Sequence, residues 1–442
     1  METKIFRRTL YKEYDDKYFF FNSFTNSIAT IKKNYGDNFD DILAKNENYL
    51  LEEGVIFQDV ESYYELMDFF YHKYTVDTSH ITITDAPYFS CNLKCVYCMQ
   101  QNTPLSINDM SPEERFDLWK QIFNILSAEK LSVCLFGGEP FYDKKYVKEL
   151  LTLAKNDDIV NLNKVFAVTN GTLIDDDIIN MINDFNIYSL QITLDGTKEI
   201  HDIRRITKKN TGSFDLIVSN IEKILDNTDA EICINTVIDK SNFDGYFSMI
   251  DSLIAKWGHY ILAKEPRIIF NVGNECDPVN GCAYTSCNNM LDSDGLMKYY
   301  DLLYELLQKG VSVNGIIPAA ACLKDSFHEV ILGPDGSLYN CISGIGIDDY
   351  KICSKNELYD YPASALAKIA KSCKSPKDKS CRLCSYYGMC NGGCYYDMIS
   401  NNKKSSCQKK IFDDCIDKMM DIFSVVEERG HNTFVLKQPN NN

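Results

Sequence analysis

Positive charge is scarce in this chain: 46 lysines and arginines stand against 63 aspartates and glutamates, a formal net charge of −17 over 442 residues. Binding a nucleic-acid backbone needs a basic face, and the densest basic run, Arg204-Arg205 with Lys208-Lys209, is short. A nucleic-acid partner is therefore excluded, and the acidic surface reads as a source of solubility. Long apolar runs are lacking as well. No stretch approaches the ~20 residues that a membrane span takes, and the N-terminus has no apolar core followed by a small-residue cleavage site. The expectation is a cytoplasmic protein with no membrane partner. Repeats and low-complexity tracts are missing too, apart from an Asn-rich tail.

What remains is ordinary globular material, 45% hydrophobic and 12% aromatic, in a chain longer than the ~250–300 residues at which one core stops growing. Two or three domains are expected. Residues 1–78 read as a small module: a hairpin from Lys17–Asn22 and Ser27–Lys32, then helices near Asp40–Leu51 and Val60–Tyr74. Over 79–315, short β-branched runs alternate with helical periodicity, which indicates successive strand–helix units around a parallel sheet. The strands fall at Ile81–Thr84, Leu131–Phe136, Lys164–Val168, Tyr188–Thr193, Glu231–Val237 and Arg267–Val272. Intervening helices include Pro112–Leu126, Asp175–Phe185, Phe214–Leu225 and Phe243–Trp257. The fold class is α/β, with a partial (β/α)6 barrel at its centre. Residues 316–442 lose this rhythm and turn to cysteine and glycine before a last helix at 408–428.

Cysteine is the anomaly, at 18 residues without an export signal. Thiols kept reduced in a cytosol are free to bind metal. Directly after the first barrel strand stands Cys91-x3-Cys95-x2-Cys98, with Tyr97 before the last cysteine. Three thiolates hold three irons of a [4Fe–4S] cube and leave the fourth open to a small ligand, where four cysteines would close it. The loop lies at the C-terminal end of a strand, where such barrels place their active sites. Three more segments end the next strands: Gly137-Gly138-Glu139-Pro140, Thr169-Asn170-Gly171 and Thr193-Leu194-Asp195-Gly196.

In this order the four segments resemble the radical S-adenosylmethionine (SAM) superfamily. The resemblance implies that Cys91, Cys95 and Cys98 ligate a [4Fe–4S] cluster and that S-adenosylmethionine binds its open iron. It implies that Gly137, Gly138 and Glu139 hold the methionine amino group, that Thr193 faces the ribose, and that Thr169 and Asn170 share the cofactor rim. Tyr97 is a candidate for packing on the adenine. Arg204 or Arg205 suits the cofactor carboxylate, which a guanidinium binds bidentately, and Asn235 is a further strand-end candidate; a solvated or merely polar position is the competing reading for these three. An electron donor such as flavodoxin or ferredoxin is the implied partner.

A second cysteine group follows: Cys381-x2-Cys384-x5-Cys390-x3-Cys394, preceded by Cys322 and Gly336-x4-Cys341 and followed by Cys407. A zinc ribbon takes four thiolates but leaves the other cysteines unexplained. The whole resembles the SPASM domain, with two auxiliary [4Fe–4S] clusters, three clusters in all. Position by position this assigns Cys322, Cys341 and Cys394 to the first auxiliary cluster. Cys381, Cys384, Cys390 and Cys407 go to the second, with Cys407 preferred over Cys415, which sits in a helical stretch. A fourth ligand for the first auxiliary cluster stays open between His328, Cys353 and a substrate thiolate. Cys134 and Cys233 read as strand residues, whereas Cys276, Cys282 and Cys287 fall in the loop after the sixth strand.

Two activities fit the resemblance. One is a peptide maturase that cross-links a ribosomally made precursor, through a thioether in the preferred version; the other is an anaerobic sulfatase-maturing enzyme that makes formylglycine. The latter enzymes carry an aspartate after the cysteine of the G-x4-C segment, and here Ile342 follows Cys341. Residues 1–78 also have a place in the former, as a winged-helix-like element that binds the precursor's leader. The aromatic strand Tyr18–Phe21 belongs to a hairpin whose exposed edge pairs with the leader, leaving cofactor cleavage independent of the module; the alternative is that Phe19 and Phe21 pack under the module's own helices. A non-catalytic iron–sulfur or zinc scaffold is the reading of another class.

Overall fold

A computed structural model of the chain describes residues 9–23, 25–36, 38–57, 65, 69, 73, 75–98, 100, 110–239, 241–274, 293–314, 326–372, 379–382, 384–390, 393, 407 and 409–429. All of the expected helix over 60–74 except residues 65, 69 and 73, and the cysteines at 276, 282, 287, 322, 373 and 394, lie outside the described residues.

Six parallel strands carry the centre: β4 (His80–Asp85), β5 (Lys130–Leu135), β6 (Leu162–Thr169), β7 (Ile187–Thr193), β8 (Glu231–Ile238) and β9 (Ile268–Asn274). They pair in sequence order, as strand–helix repeats with one handedness of crossover require. Side chains alternate across the sheet. Ile81, Ile83, Leu131, Val133, Val165, Leu190, Ile192, Ile232 and Ile268 are all within 1% of full burial and belong with the helices to one continuous core. The registers Thr84↔Cys134↔Phe166 and Thr193↔Asn235↔Asn271 line up the residues of the other face, which is more polar and only partly covered. Local signals start the helices where expected: Ser111 and Glu114 form a capping box with Pro112 inside it, and Asp175 caps Asp176–Asp184.

The C-terminal region continues this sheet. After β9 come β10 (Glu329–Leu332), β11 (Leu338–Tyr339) and β12 (Lys351–Cys353), and the order β12-β11-β10-β4 places β10 parallel to the first barrel strand. Arg115, from the helix Pro112–Ile125, fastens the junction. Its Nε donates to Asp85 Oδ1 at 2.8 Å and its Nη1 to Gly333 O at 2.7 Å, with neither Arg115 nor Asp85 exposed. A buried pair of this kind adds little net stability, but losing one partner costs about 3–5 kcal/mol.

The N-terminal module has one strand more than its sequence suggests. β1 (Thr9–Glu13), β2 (Lys17–Asn22) and β3 (Ser27–Lys32) form an antiparallel sheet with β2 in the middle, followed by the helix Phe39–Glu52. The aromatic strand is therefore not an exposed edge. Tyr18 and Phe20 face a small core with Ile31, Ile42, Leu50 and Val55. Phe19 and Phe21 do not pack under the module's own helix but enter the main core, where Phe21 meets Phe423 with ring centroids 4.6 Å apart. Polar pairs surround that contact: Lys12 to Asp421 at 2.7 Å, Tyr14 to Asp421 at 2.9 Å, and Thr30 to Glu427 at 3.1 Å. Alternation along β2 thus splits its aromatics between two cores, one local and one shared with the last helix, Lys409–Glu428.

Candidate active site

The cysteine loop leaves β4 and returns along residues 204–208 as a short antiparallel ladder. Lys94 N donates to Ile206 O at 2.9 Å, Val96 N to Arg204 O at 3.0 Å and Lys208 N to Asn92 O at 3.0 Å, with Leu93 bridged to Thr207. Period-two alternation turns Leu93 and Cys95 inward and leaves Lys94 and Val96 exposed. Cys91 accepts from Leu93 N at 3.4 Å and from Asn170 Nδ2 at 3.6 Å. Burial pushes its thiol up to about 11. Cys95 is also pushed up by burial, and the neighbouring Arg205 guanidinium pulls it back. Thiols so placed ionise when a cation or a cluster takes the charge, so the donor set fits an iron–sulfur cluster, with Arg205 as a nearby counter-charge.

The glycines after β5 hold this loop in place. An ideal Cβ on Gly138 would lie 2.3 Å from Phe89 O and 2.5 Å from Ser90 O, and one on Gly137 would lie 2.4 Å from Tyr88 O. Gly138 N and Glu139 N donate to Tyr88 O and Ser90 O at 3.1 and 3.0 Å. Glu139 is fully buried. Its Oε1 accepts from Thr169 Oγ1 at 2.7 Å and Phe141 N at 3.1 Å, and its Oε2 from Asn170 N at 2.7 Å. Asn170 in turn donates to Asn92 Oδ1 at 2.9 Å. The GGEP and TNG segments are thus one hydrogen-bonded frame around the cysteine loop.

Across the rim, Asn235 Nδ2 reaches Thr193 Oγ1 at 3.5 Å and Asn271 Nδ2 donates to Asn235 Oδ1 at 2.8 Å, a polar row over three strand ends. Asn271 carries no motif; the only signal for it is its register opposite Asn235. Tyr97 donates to Asp195 and accepts from Arg205 Nη1 at 2.7 Å. Arg204 is spent on protein groups: Nη1 on Asp239 and on Ser241 Oγ at 2.8 Å, Nη2 on Val237 O at 3.1 Å. It also lies 4.8 Å over the Tyr97 ring. Arg205 is buried with its Nε unpartnered. His201, which no motif marked, accepts from Asp195 N at 3.2 Å through Nδ1 and bonds Ser213 Oγ at 2.9 Å through Nε2. Burial and the two adjacent arginines push it down to about 2, so it stays neutral and structural.

In the C-terminal region, Cys341 and Ile342 pack with Phe89 and Phe136 around Ile331, Tyr339 and Ile345, at the same end of the sheet as the cysteine loop. Cys384 N donates to Cys381 O at 3.0 Å, and both side chains meet Tyr387. Burial raises the Cys384 thiol and the proximity of Cys407 raises it further. Cys407 is exposed, whereas Cys415 and Cys353 are buried. Cys415 sits inside the last helix.

Residues 87–250 match the Radical SAM superfamily, and the chain carries a domain of that family, with the cysteine loop and the three strand-end segments inside it. It is 28% identical over 378 residues to a cysteine-type anaerobic sulfatase-maturating enzyme of Clostridium novyi, covering 77% of this chain and 96% of the relative. Among solved structures, native anSMEcpe with bound AdoMet matches with a TM-score of 0.60 at 18% identity, over 80% of this chain and 99% of that one. Streptococcus suis SuiB bound to S-adenosylmethionine matches with a TM-score of 0.53 at 16% identity, over 91% of this chain and 98% of that one. No described helix is long and apolar enough to cross a membrane.

Proposed function

We propose that this chain, a radical SAM maturase, cross-links a ribosomally made precursor peptide through a thioether bond. Cys91, Cys95 and Cys98 would hold the [4Fe–4S] cluster. Two auxiliary clusters would sit on Cys322, Cys341 and Cys394 and on Cys381, Cys384, Cys390 and Cys407. With S-adenosylmethionine bound and one electron supplied, this machinery provides a 5′-deoxyadenosyl radical that abstracts a hydrogen atom from carbon.

The chain's own residues orient and exclude. The Gly137-Gly138 backbone receives the methionine end, while the Glu139 carboxylate, already committed to Thr169 and Asn170, stiffens the frame around it. Thr193 and Asn235 face the ribose. Arg205, beside Cys95, offsets the charge of the thiolates, and of the two arginines it is the better candidate for the cofactor carboxylate, since Arg204 is held by Asp239, Ser241 and Val237.

The observation that carries the peptide reading is the N-terminal sheet. Its outer strand β3 has no further strand beside it among the described residues, and the sheet is fastened to the last helix. A leader added to such an edge gains main-chain hydrogen bonds and is held at a fixed place relative to the barrel. The solved complexes of SuiB with precursor peptide SuiA and of anSMEcpe with a Cp18Cys peptide concern peptide ligands too.

The second reading is formylglycine formation, favoured by the 28% identity to the Clostridium novyi enzyme. Against it, Ile342 follows Cys341 and lies in an apolar cluster. The test is anaerobic incubation of the reconstituted enzyme with a candidate cysteine-bearing precursor peptide and with a cysteine-bearing sulfatase peptide. Loss of a hydrogen pair with sulfur retained supports the cross-link. Exchange of the cysteine sulfur for an aldehyde oxygen overturns it in favour of formylglycine.

A further inference from the structure

We propose that the outer lip of the cysteine loop is the docking surface for a small acidic one-electron carrier protein, formed by Lys94, Lys208 and Lys209 around Val96 and Ile203. The inference rests on the functional reading above and adds where the electron enters. The ladder between residues 92–96 and 204–208 sets Lys94, Val96 and Lys208 along its strands, with Ile203 and Lys209 next to its two ends. All three lysines are exposed, and none has an acidic partner among the described residues; Lys94 donates only to the Asn210 amide oxygen. In a chain of net charge −17, an uncompensated group of three cations is a local inversion of sign. Val96 is 64% exposed and Ile203 74% exposed, and Ile203 directly precedes Arg204, whose carbonyl accepts from Val96 N. Apolar side chains inside a charged rim are the composition of a transient protein interface.

The position matters as much as the charge. Cys95 lies between Lys94 and Val96, so the lip is the outer face of the strand whose inner face carries a cluster thiolate. A carrier seated there needs no relay through the C-terminal cysteines. A negatively charged partner is steered by the lysines and repelled by most of the remaining surface, which raises its encounter rate and its selectivity together. In the step itself the reduced carrier gives one electron and is oxidised by one, and the oxidised cluster is reduced by one; no bond is made or broken.

The test compares the iron-loaded wild-type chain with K94E/K208E/K209E, using reduced flavodoxin as carrier and dithionite as small reductant. Flavodoxin binding at low ionic strength should weaken by about tenfold or more in the variant, and its salt dependence should flatten. Cluster reduction by flavodoxin should fall in parallel, with dithionite reduction unchanged. A triple lysine-to-arginine variant should bind as wild type does, which separates charge from a folding defect. Unchanged flavodoxin affinity in the charge-reversed protein overturns the docking surface alone. Failure of the wild-type chain to hold iron on Cys91, Cys95 and Cys98 overturns the functional reading with it.

Discussion

Gly138→Ala puts one methyl group where the structure has no room for it. The Cβ would stand 2.3 Å from Phe89 O and 2.5 Å from both Phe89 C and Ser90 O. Backbone must therefore retreat by about 0.7 Å to reach the 3.0 Å that real Cβ contacts respect. These are main-chain atoms, so no side chain can swing away. Moving them stretches the bonds from Gly138 N and Glu139 N to Tyr88 O and Ser90 O, at about 1 kcal/mol each, and overpacking adds roughly 1–3 kcal/mol. Ser90 precedes Cys91, so the first thiol shifts with the loop. A displacement approaching 1 Å in a catalytic frame costs on the order of 100-fold in rate. We expect 5′-deoxyadenosine formation to fall by about that factor, with the far-ultraviolet circular dichroism retained and the iron bound by the C-terminal cysteines unaffected. Gly258→Ala is the control, because its nearest neighbour is a side-chain methyl at 3.8 Å. A Gly138→Ala enzyme that cleaves S-adenosylmethionine at the wild-type rate would refute the claim that close backbone approach is what this glycine supplies.

Anaerobically prepared protein should carry about twelve irons, and alanine at Cys91, Cys95 and Cys98 should leave about eight while ending cofactor cleavage; stoichiometric zinc in their place would sink the cluster assignment. Deleting residues 1–78 should abolish cofactor cleavage as well as peptide modification, because Phe19 and Phe21 leave an uncovered apolar face on the main core; an active 79–442 fragment would contradict this. Arg115→Met should lower stability by about 3–5 kcal/mol in chemical denaturation, since it strands the Asp85 carboxylate. His201 is held neutral, near 2 against an ordinary 6.5. The unfolded chain therefore binds the extra proton first as pH falls, and stability present above pH 6.5 is lost below it. Between pH 7 and 5 this amounts to about 2 kcal/mol, and the slope should disappear in His201→Asn.

Much of the barrel was legible because its strands alternate apolar and polar residues and its helices begin at caps. Expected strands such as Tyr188–Thr193 and Glu231–Val237 differ from the observed Ile187–Thr193 and Glu231–Ile238 by one residue at an end. The motif segments were legible for the same reason: each ends a strand. What could not be read was which groups of a motif face the protein. Glu139 and Arg204 look from spacing like ligand-binding groups, yet their partners lie tens of residues away at Thr169, Asn170 and Asp239. β1 escaped notice because Thr9–Glu13 is only five residues long and ends in the charged pair Lys12-Glu13. The pairing of β10 with β4 left no local trace either, since the strand's parallel neighbour lies far upstream in the chain.

The bond from Lys12 to the carbonyl of Asp417 spans 405 residues. At 5–20 residues per second, a ribosome takes about 20–80 seconds to make the cover for the apolar underside of β2. For that interval Phe19 and Phe21 are synthesised while Phe423, the ring that Phe21 packs against, is not. The last helix therefore completes the core that the N-terminal sheet begins. A chain that stops short of it is left with the Phe21 ring lacking its partner Phe423 and the apolar face of β2 uncovered on that side.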